Sequence, residues 1–191
     1  MKKFLVVGNP IDHSLSPALH NYWIKSNAID AIYEKQKLNE DELEQLILQV
    51  KEKKINGVNV TVPFKKVIIP FLDELSIEAE STQSVNTIYL KDDKVVGHNT
   101  DIIGFETSIE KSKFNVFNKE VLILGAGGVV PSIIFALNKM KVSKIKISNR
   151  TKEKAKNLKT MLKWKFIFQR RRNIILWKLK LIKIWFSDSE I

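Results

Sequence analysis

Hydrophobic and polar residues alternate along most of the chain in a repeating strand-then-helix rhythm. Phe4 to Val7 is a short apolar run closed by Gly8-Asn9-Pro10, the pattern of a buried strand followed by a turn. A helix is expected from Pro17 to about Ser26, and a strand from Ala31 to Lys37. Asn39 stands before a helical pattern in which Leu43, Leu46, Ile47 and Val50 share one face. Asn56-Gly57 turns the chain into Val58-Asn59-Val60-Thr61-Val62, a period-two strand stopped by Pro63, with its three valines on one side. Ser84 to Leu90 and Lys94 to Gly97 flank Asp92-Asp93 as a hairpin would.

Asp101 to Glu110 reads as a helix, and the polar stretch from Lys111 to Asn118 is the best candidate for a domain boundary. Beyond it, a strand over Glu120 to Leu124, a glycine turn, a helix from Val129 to Met140 and a strand over Lys144 to Ser148 make a βαβ unit. Strands alternating with helices imply an α/β fold with mostly parallel sheets. No internal repeat or low-complexity segment interrupts the pattern.

After residue 159 the text changes. Residues 1–159 carry 24 Lys and Arg against 19 Asp and Glu, whereas residues 160–191 carry 8 against 2. More than half of the net charge of +11 therefore sits in the last sixth of the chain, so the basic balance describes this tail rather than a nucleic-acid or membrane surface spread over the fold. The tail also holds three of the four Trp, contains Arg170-Arg171-Arg172, and lacks Gly and Pro. Ile175, Leu179, Ile182 and Trp185 fall on one helical face with Lys178, Lys180 and Lys183 around it, while Leu176 to Leu181 alternates like a strand. The first reading is a basic surface helix that binds a membrane or nucleic acid; the ambiguous period favours an accidental sequence.

The chain is 191 residues long, 44% hydrophobic and 28% charged, which is ordinary globular usage. With no Cys, it can form neither a disulfide framework nor a thiolate metal site nor a cysteine nucleophile. Its N-terminal apolar run is far shorter than a signal-peptide core. A cytoplasmic protein is expected.

Two regions carry candidate chemistry. Val121-Leu122-Ile123-Leu124 runs into Gly125-Ala126-Gly127-Gly128 and then a helix, the context a dinucleotide fingerprint requires. Gly125 permits the tight turn, and Gly127 lets backbone approach a pyrophosphate at the helix N-terminus. The third fingerprint position is Val130 in place of Gly or Ala; a plain strand-helix turn using glycine for geometry is the other reading. After the second strand, Asn149-Arg150-Thr151 stands where an NAD site would hold a ribose-binding carboxylate. Arg150 can pair with a 2′-phosphate and Thr151 can add a hydroxyl, which favours NADP.

The other region lies nearer the N-terminus. Ser14-Leu15-Ser16-Pro17 places two hydroxyls before a helix, with Ser16 as expected N-cap, where free backbone amides attract a carboxylate. Asn59 and Thr61 project on the side of their strand opposite the valines, about 7 Å apart. Two polar groups at the carboxyl end of such a strand point to a ligand, and Lys65 follows at the same edge. Asn86 and Asp101 are further polar residues at element ends. Taken singly, Lys65 reads as a solvated lysine and Asp101 as a helix cap. His13, His20 and His98 are scattered, and no metal site is expected.

In order and spacing, the segments Asn9-Pro10-Ile11-Asp12-His13-Ser14-Leu15-Ser16-Pro17, Asn59-Val60-Thr61-Val62-Pro63-Phe64-Lys65, Val85-Asn86-Thr87, Asn99-Thr100-Asp101, Gly125-Ala126-Gly127-Gly128 and Asn149-Arg150-Thr151 resemble shikimate dehydrogenase. The likeness covers residues 3 to about 158. It implies a mostly parallel α/β sandwich for substrate over residues 1–110, followed by a truncated Rossmann-like NADP-binding domain over 111–159. It implies further that Ser14 and Ser16 hold the substrate carboxylate and that Asn59, Thr61, Asn86 and Asp101 bind ring hydroxyls. Lys65 and Asp101 would form the catalytic pair. Gly125, Ala126, Gly127, Gly128, Asn149, Arg150 and Thr151 would bind NADP. The implied reaction is NADPH-dependent reduction of 3-dehydroshikimate to shikimate, in the pathway to aromatic amino acids, with quinate as the alternative substrate. Nothing after residue 159 matches the family's later segments, and the expectation is that the reading frame is lost near residue 160, leaving 32 residues out of register and the cofactor half incomplete; the alternative to the enzyme is an inactive fragment whose basic tail binds membrane or nucleic acid.

Overall fold

The computed structural model describes residues 1–162 and 167–168. Two sheets account for its strands. The chain begins with β1 (Lys2–Gly8), α1 (Ser16–Ser26), β2 (Ala31–Lys37), α2 (Leu43–Lys51), β3 (Gly57–Val60), the single turn α3 (Phe64–Val67) and the short edge strand β4 (Glu74–Leu75). It continues through α4 (Ile77–Thr82), β5 (Thr87–Lys91), β6 (Lys94–His98) and α5 (Asp101–Lys111). The second unit contains β7 (Glu120–Leu124), α6 (Val130–Lys139), β8 (Lys144–Ser148), α7 (Lys152–Leu162) and β9 (Ile167–Phe168).

The first sheet has the order β2-β1-β3-β5-β6-β4. β1 pairs in parallel with β2 and β3, and β4 with β6, whereas β5 is antiparallel to both neighbours. β5 and β6 are the expected hairpin, closing at Lys91↔Lys94 through Asp92 and Asp93 at φ 49° and 57°, a backbone shape that suits the right-handed twist of the strands. β1 is an interior strand whose second half, Leu5 to Gly8, is buried on both faces. Leu5 and Val7 enter a core with Leu43, Leu46, Ile47 and Val50 of α2, while Val6 packs on the other face with Ile11, Tyr33 and Ile24 of α1.

The second sheet is parallel throughout, in the order β7-β8-β9. Its core joins Ile123, Ile145 and Ile147 to Val130, Ile133, Ile134 and Leu137 of α6. β9 pairs Ile167 and Phe168 with Lys146 and Ile147, drawing a third strand from beyond residue 159, where a two-residue element has no period to read. The basic helical face and the lost frame expected in the tail otherwise lie outside the described residues.

Three local expectations are corrected. Ser16 is the first helical residue of α1, because the backbone turns earlier: its N–H donates to Ser14 Oγ at 3.3 Å. The strand at Val58 ends at Val60, and the Phe64 N–H bonds the Thr61 carbonyl at 2.9 Å, so Val62 lies in a turn and is 62% exposed instead of joining Val58 and Val60 in the core. Thr100 takes the capping position of α5, and Asp101 begins the helix.

Among the described residues, no helix is long and apolar enough to cross a membrane, and no cluster of three His, Cys, Asp or Glu could hold a metal ion.

Candidate active site

Strand directions bring the scattered polar residues of the first unit to one sheet edge. The carboxyl ends of the parallel strands β1 and β3 lie side by side, followed respectively by Ser14 and Ser16 and by Thr61 and Lys65. β5 runs the other way, so its beginning, next to Asn86, lies against the end of β3 in the pair Asn59↔Thr87. β6 reverses again, and its end pairs His98 with Thr87, delivering Asp101 to the same edge.

At that edge Lys65 Nζ donates to Asp101 Oδ2 at 2.9 Å, and both side chains are about one-fifth exposed (19% and 20%). Asn86 Nδ2 donates to the other carboxylate oxygen, Oδ1, at 2.8 Å. Asp101 is thus held at two points, at the first turn of α5 where the helix dipole favours a negative charge. Asn86 Oδ1 accepts from the Thr100 N–H at 2.9 Å, from Thr100 Oγ1 at 3.1 Å and from Thr87 Oγ1 at 3.0 Å. These bonds fix the amide with its NH₂ group towards Asp101.

Asn59 is equally constrained. Its Nδ2 donates to the Asn86 carbonyl and to Thr87 Oγ1, both at 3.2 Å, and its Oδ1 accepts from the Tyr33 hydroxyl at 2.7 Å. One lone pair on Oδ1 is left to receive a hydroxyl donor. Sequence reasoning missed Tyr33 because β2 presents it as an ordinary aromatic in an alternating strand. The ring is 5% exposed and stacks on His20 with centroids 4.1 Å apart, while Asn21 bonds the Tyr33 backbone at both N–H and C=O (2.9 and 2.8 Å). Burial pushes the Tyr33 phenol up to about 12, so it remains a donor. Burial lowers the pKa of His20, favouring the neutral ring against the phenol.

Thr61 fits because Gly8 has no side chain: a Cβ at Gly8 would stand 2.6 Å from Thr61 Cγ2 and 3.0 Å from the Val62 carbonyl oxygen. The Asn9 N–H bonds that same oxygen at 3.1 Å, tying the loop that carries Ser14 and leads into α1 at Ser16 to the turn after β3.

The second sheet forms its own edge. β7 and β8 are in register at Leu124↔Ser148, so Gly125 to Gly128 and Asn149 to Thr151 emerge together, linked by a 2.8 Å bond from the Gly125 N–H to the Ser148 carbonyl. Gly125 has φ +115°, which a side chain rarely tolerates. A Cβ on Gly125, Gly127 or Gly128 would meet nothing within 4 Å, so the backbone lies open for a ligand to approach. Ala126 packs against the core behind. Arg150 is exposed beside this turn, and Asn149 Nδ2 donates to the Thr151 carbonyl at 2.7 Å. These features fit a phosphorylated dinucleotide: open amides before a helix, and a guanidinium in place of a carboxylate.

A polar edge on a mixed α/β sheet, followed by a parallel sheet with a glycine turn, defines an α/β protein with a Rossmann-like second sheet. Comparison with known proteins specifies it. Residues 6–88 match the family model described as the shikimate dehydrogenase substrate binding domain, and residues 108–176 match that for shikimate / quinate 5-dehydrogenase. The second match runs past residue 159, into the stretch where motif reading finds no likeness. The chain is 63% identical over 158 residues to a shikimate dehydrogenase (NADP(+)) of Pelagibacter ubique, covering 83% of this chain and 60% of that one. A crystal structure of shikimate dehydrogenase from Aquifex aeolicus superposes with a TM-score of 0.80 at 38% identity, over 91% of this chain and 63% of that one. A shikimate dehydrogenase solved in complex with NADP+ gives 0.82 at 34% identity, over 89% and 61%.

The chain belongs to the shikimate dehydrogenase family. It spans about 60% of the length of the curated relatives it matches.

Proposed function

We propose that the protein is an NADP-dependent oxidoreductase that interconverts 3-dehydroshikimate and shikimate, with residues 1–110 as the substrate-binding unit and residues 111–159 carrying the cofactor turn. The observation that carries this reading is the Lys65–Asp101 pair, set 2.9 Å apart beside the amides of Asn59 and Asn86. Ser14 and Ser16 take the ring carboxylate, and Asn59, Thr61, Asn86 and Asp101 take the ring hydroxyls. The Asn59 oxygen accepts, the Asn86 nitrogen donates, and the two define complementary hydroxyl positions.

When bound, the reduced nicotinamide dinucleotide supplies the hydride that the C3 carbonyl carbon receives. Negative charge then grows on the carbonyl oxygen, where the Lys65 ammonium stabilises it and delivers the proton that completes the hydroxyl. Lysine is left as a neutral amine and recovers its proton from solvent. In the reverse direction the neutral amine removes the hydroxyl proton. Asp101 holds the lysine in place through the 2.9 Å ion pair. Gly125, Ala126, Gly127 and Gly128 hold the pyrophosphate, and Asn149, Arg150 and Thr151 hold the 2′-phosphate of NADP. The reading carries with it the cytoplasmic location expected from the sequence.

The deciding experiment is NADPH consumption by the purified protein with 3-dehydroshikimate. Substrate-dependent oxidation that stops in Lys65→Ala is expected. An enzyme equally active with that variant would end the proposal. Quinate, which the description of the matching family model also names, is tested in the same assay by oxidation with NADP.

A further inference from the structure

Between the two sheets lies a polar contact centred on Asn99, the first residue of Asn99-Thr100-Asp101. Asn99 is 1% exposed, and its amide is fully engaged. Its Oδ1 accepts the Asp101 backbone N–H at 3.0 Å. Its Nδ2 donates to Thr82 Oγ1 at 2.9 Å and to Ser132 Oγ at 2.8 Å. Thr82 and Ser132 are themselves 1% and 0% exposed. The orientation is determined: Thr82 commits its only hydroxyl proton to the Glu78 carbonyl at 2.6 Å, so towards Asn99 it can only accept.

Ser132 is the third residue of α6, the helix that begins directly after the glycine turn. One side chain therefore joins three elements: the start of α5 that carries Asp101, the end of α4, and the helix behind the cofactor turn. A second bond repeats the link further along the same two helices, where Lys139 Nζ reaches Glu106 Oε2 at 2.8 Å, with the Glu106 side chain 8% exposed. The two ties hold α5 and α6 alongside each other from Asp101 and Ser132 at one end to Glu106 and Lys139 at the other.

We infer that Asn99 is a positioning residue, which through Ser132 fixes the glycine turn relative to the Lys65–Asp101 pair. At 1% exposure, with both amide atoms engaged inside the protein, Asn99 acts through its neighbours. Its effect is the registration of two sites carried by separate sheets, and a displacement of about 1 Å between reacting groups is enough to cost roughly 100-fold in rate. Removing one hydroxyl at Ser132 leaves every bond to Asp101 in place and cuts only the cross-link.

The inference rests on the proposed dehydrogenase reading for its kinetic consequence, and its test separates the two. The full chain has no Cys, so cysteines introduced at the exposed positions Glu44 of α2 and Lys154 of α7 allow two spin labels to report the distance between the units. Ser132→Ala and Asn99→Ala are expected to broaden or shift that distance distribution, and Ser132→Thr, which keeps the hydroxyl, to restore it. In the assay, Ser132→Ala is expected to lower kcat by about 10- to 100-fold with KM for 3-dehydroshikimate within about twofold, again with rescue by Ser132→Thr. An unchanged distribution in Ser132→Ala overturns the inference, as does an unchanged kcat in an active enzyme. If the parent chain does not turn over, the dehydrogenase reading fails, while the distance measurement still decides whether Asn99 and Ser132 register the two units. Should Asn99→Ala not fold, Ser132→Ala and Ser132→Thr carry the test alone.

Discussion

Lys65 and Asp101, separated by 36 positions in the chain, meet in a 2.9 Å ion pair at the edge where β3 ends and α5 begins. A surface ion pair of this length contributes little to stability. This one is four-fifths shielded, and Asn86 holds the carboxylate oxygen that Lys65 leaves free. The arrangement positions an ammonium. Lys65→Ala should therefore lower kcat by about 10²- to 10⁴-fold, the range for loss of a proton donor, and leave shikimate affinity nearly unchanged. Steady-state kinetics beside calorimetric titration with shikimate separates the two effects, and unchanged turnover would remove Lys65 from the reaction.

Tyr33→Phe tests whether the phenol fixes Asn59. The variant deletes the 2.7 Å bond to Asn59 Oδ1 and frees the amide to rotate. Shikimate affinity should fall by about fivefold, corresponding to ~1 kcal/mol for a lost buried hydrogen bond. The phenol's pKa also makes a stability prediction. Its folded value of about 12 lies above the ordinary 10.0, so the folded protein retains a proton that the unfolded chain releases. The associated stability is fully present below pH 10 and is lost as pH rises through about 12. Urea midpoints of the protein and of Tyr33→Phe should therefore converge between those limits; a constant difference would show that the phenol does not titrate late.

The sequence made the regular elements legible where their period was long. β2 spans Ala31–Lys37 and β8 Lys144–Ser148, the limits read from alternation and flanking turns. Taken singly, Lys65 and Asp101 had ordinary structural readings, a solvated lysine and a helix cap; the run of six segments in family order marked them together with Asn59 and Asn86, and the fold brings the four to one sheet edge. Tyr33 was not, since an aromatic in a strand looks the same whether its hydroxyl is idle or holds Asn59. α3, α4 and β4 were missed as well: their four, six and two residues are too short to show a period. Ser132 could not be foreseen, because a serine inside a helix reveals nothing of a partner 33 positions away.

Two glycines separate stability from binding. A Cβ at Gly97, in β6, would stand 2.5 Å from Leu72 Cδ1, 2.9 Å from Val85 Cγ2 and 3.0 Å from Leu75 Cδ2. Gly97→Ala should cost about 1–3 kcal/mol of unfolding free energy through overpacking, read from urea denaturation. At Gly8 the closest contact is Thr61 Cγ2, at 2.6 Å, so Gly8→Ala should displace Thr61 and raise KM for 3-dehydroshikimate. A Gly8→Ala protein with unchanged KM would show that Thr61 does not hold the ring.

Arg150 bears on the choice of cofactor. It is exposed two residues after β8, close to the open backbone of Gly125 to Gly128 through the Leu124↔Ser148 register. Its neighbours carry no carboxylate that could hold a ribose 2′-hydroxyl, and a guanidinium there gains from a phosphate dianion what a neutral hydroxyl cannot supply. Arg150→Ala should weaken NADPH by about 10- to 100-fold, the range for charge-assisted hydrogen bonds, and leave NADH within about twofold. The ratio matters more than either constant: a general disturbance of the glycine turn lowers both affinities together, whereas loss of a phosphate contact lowers only one. Fluorescence titration of both reduced nucleotides against the protein and the variant measures that ratio, and equal losses would show that Arg150 does not read the phosphate.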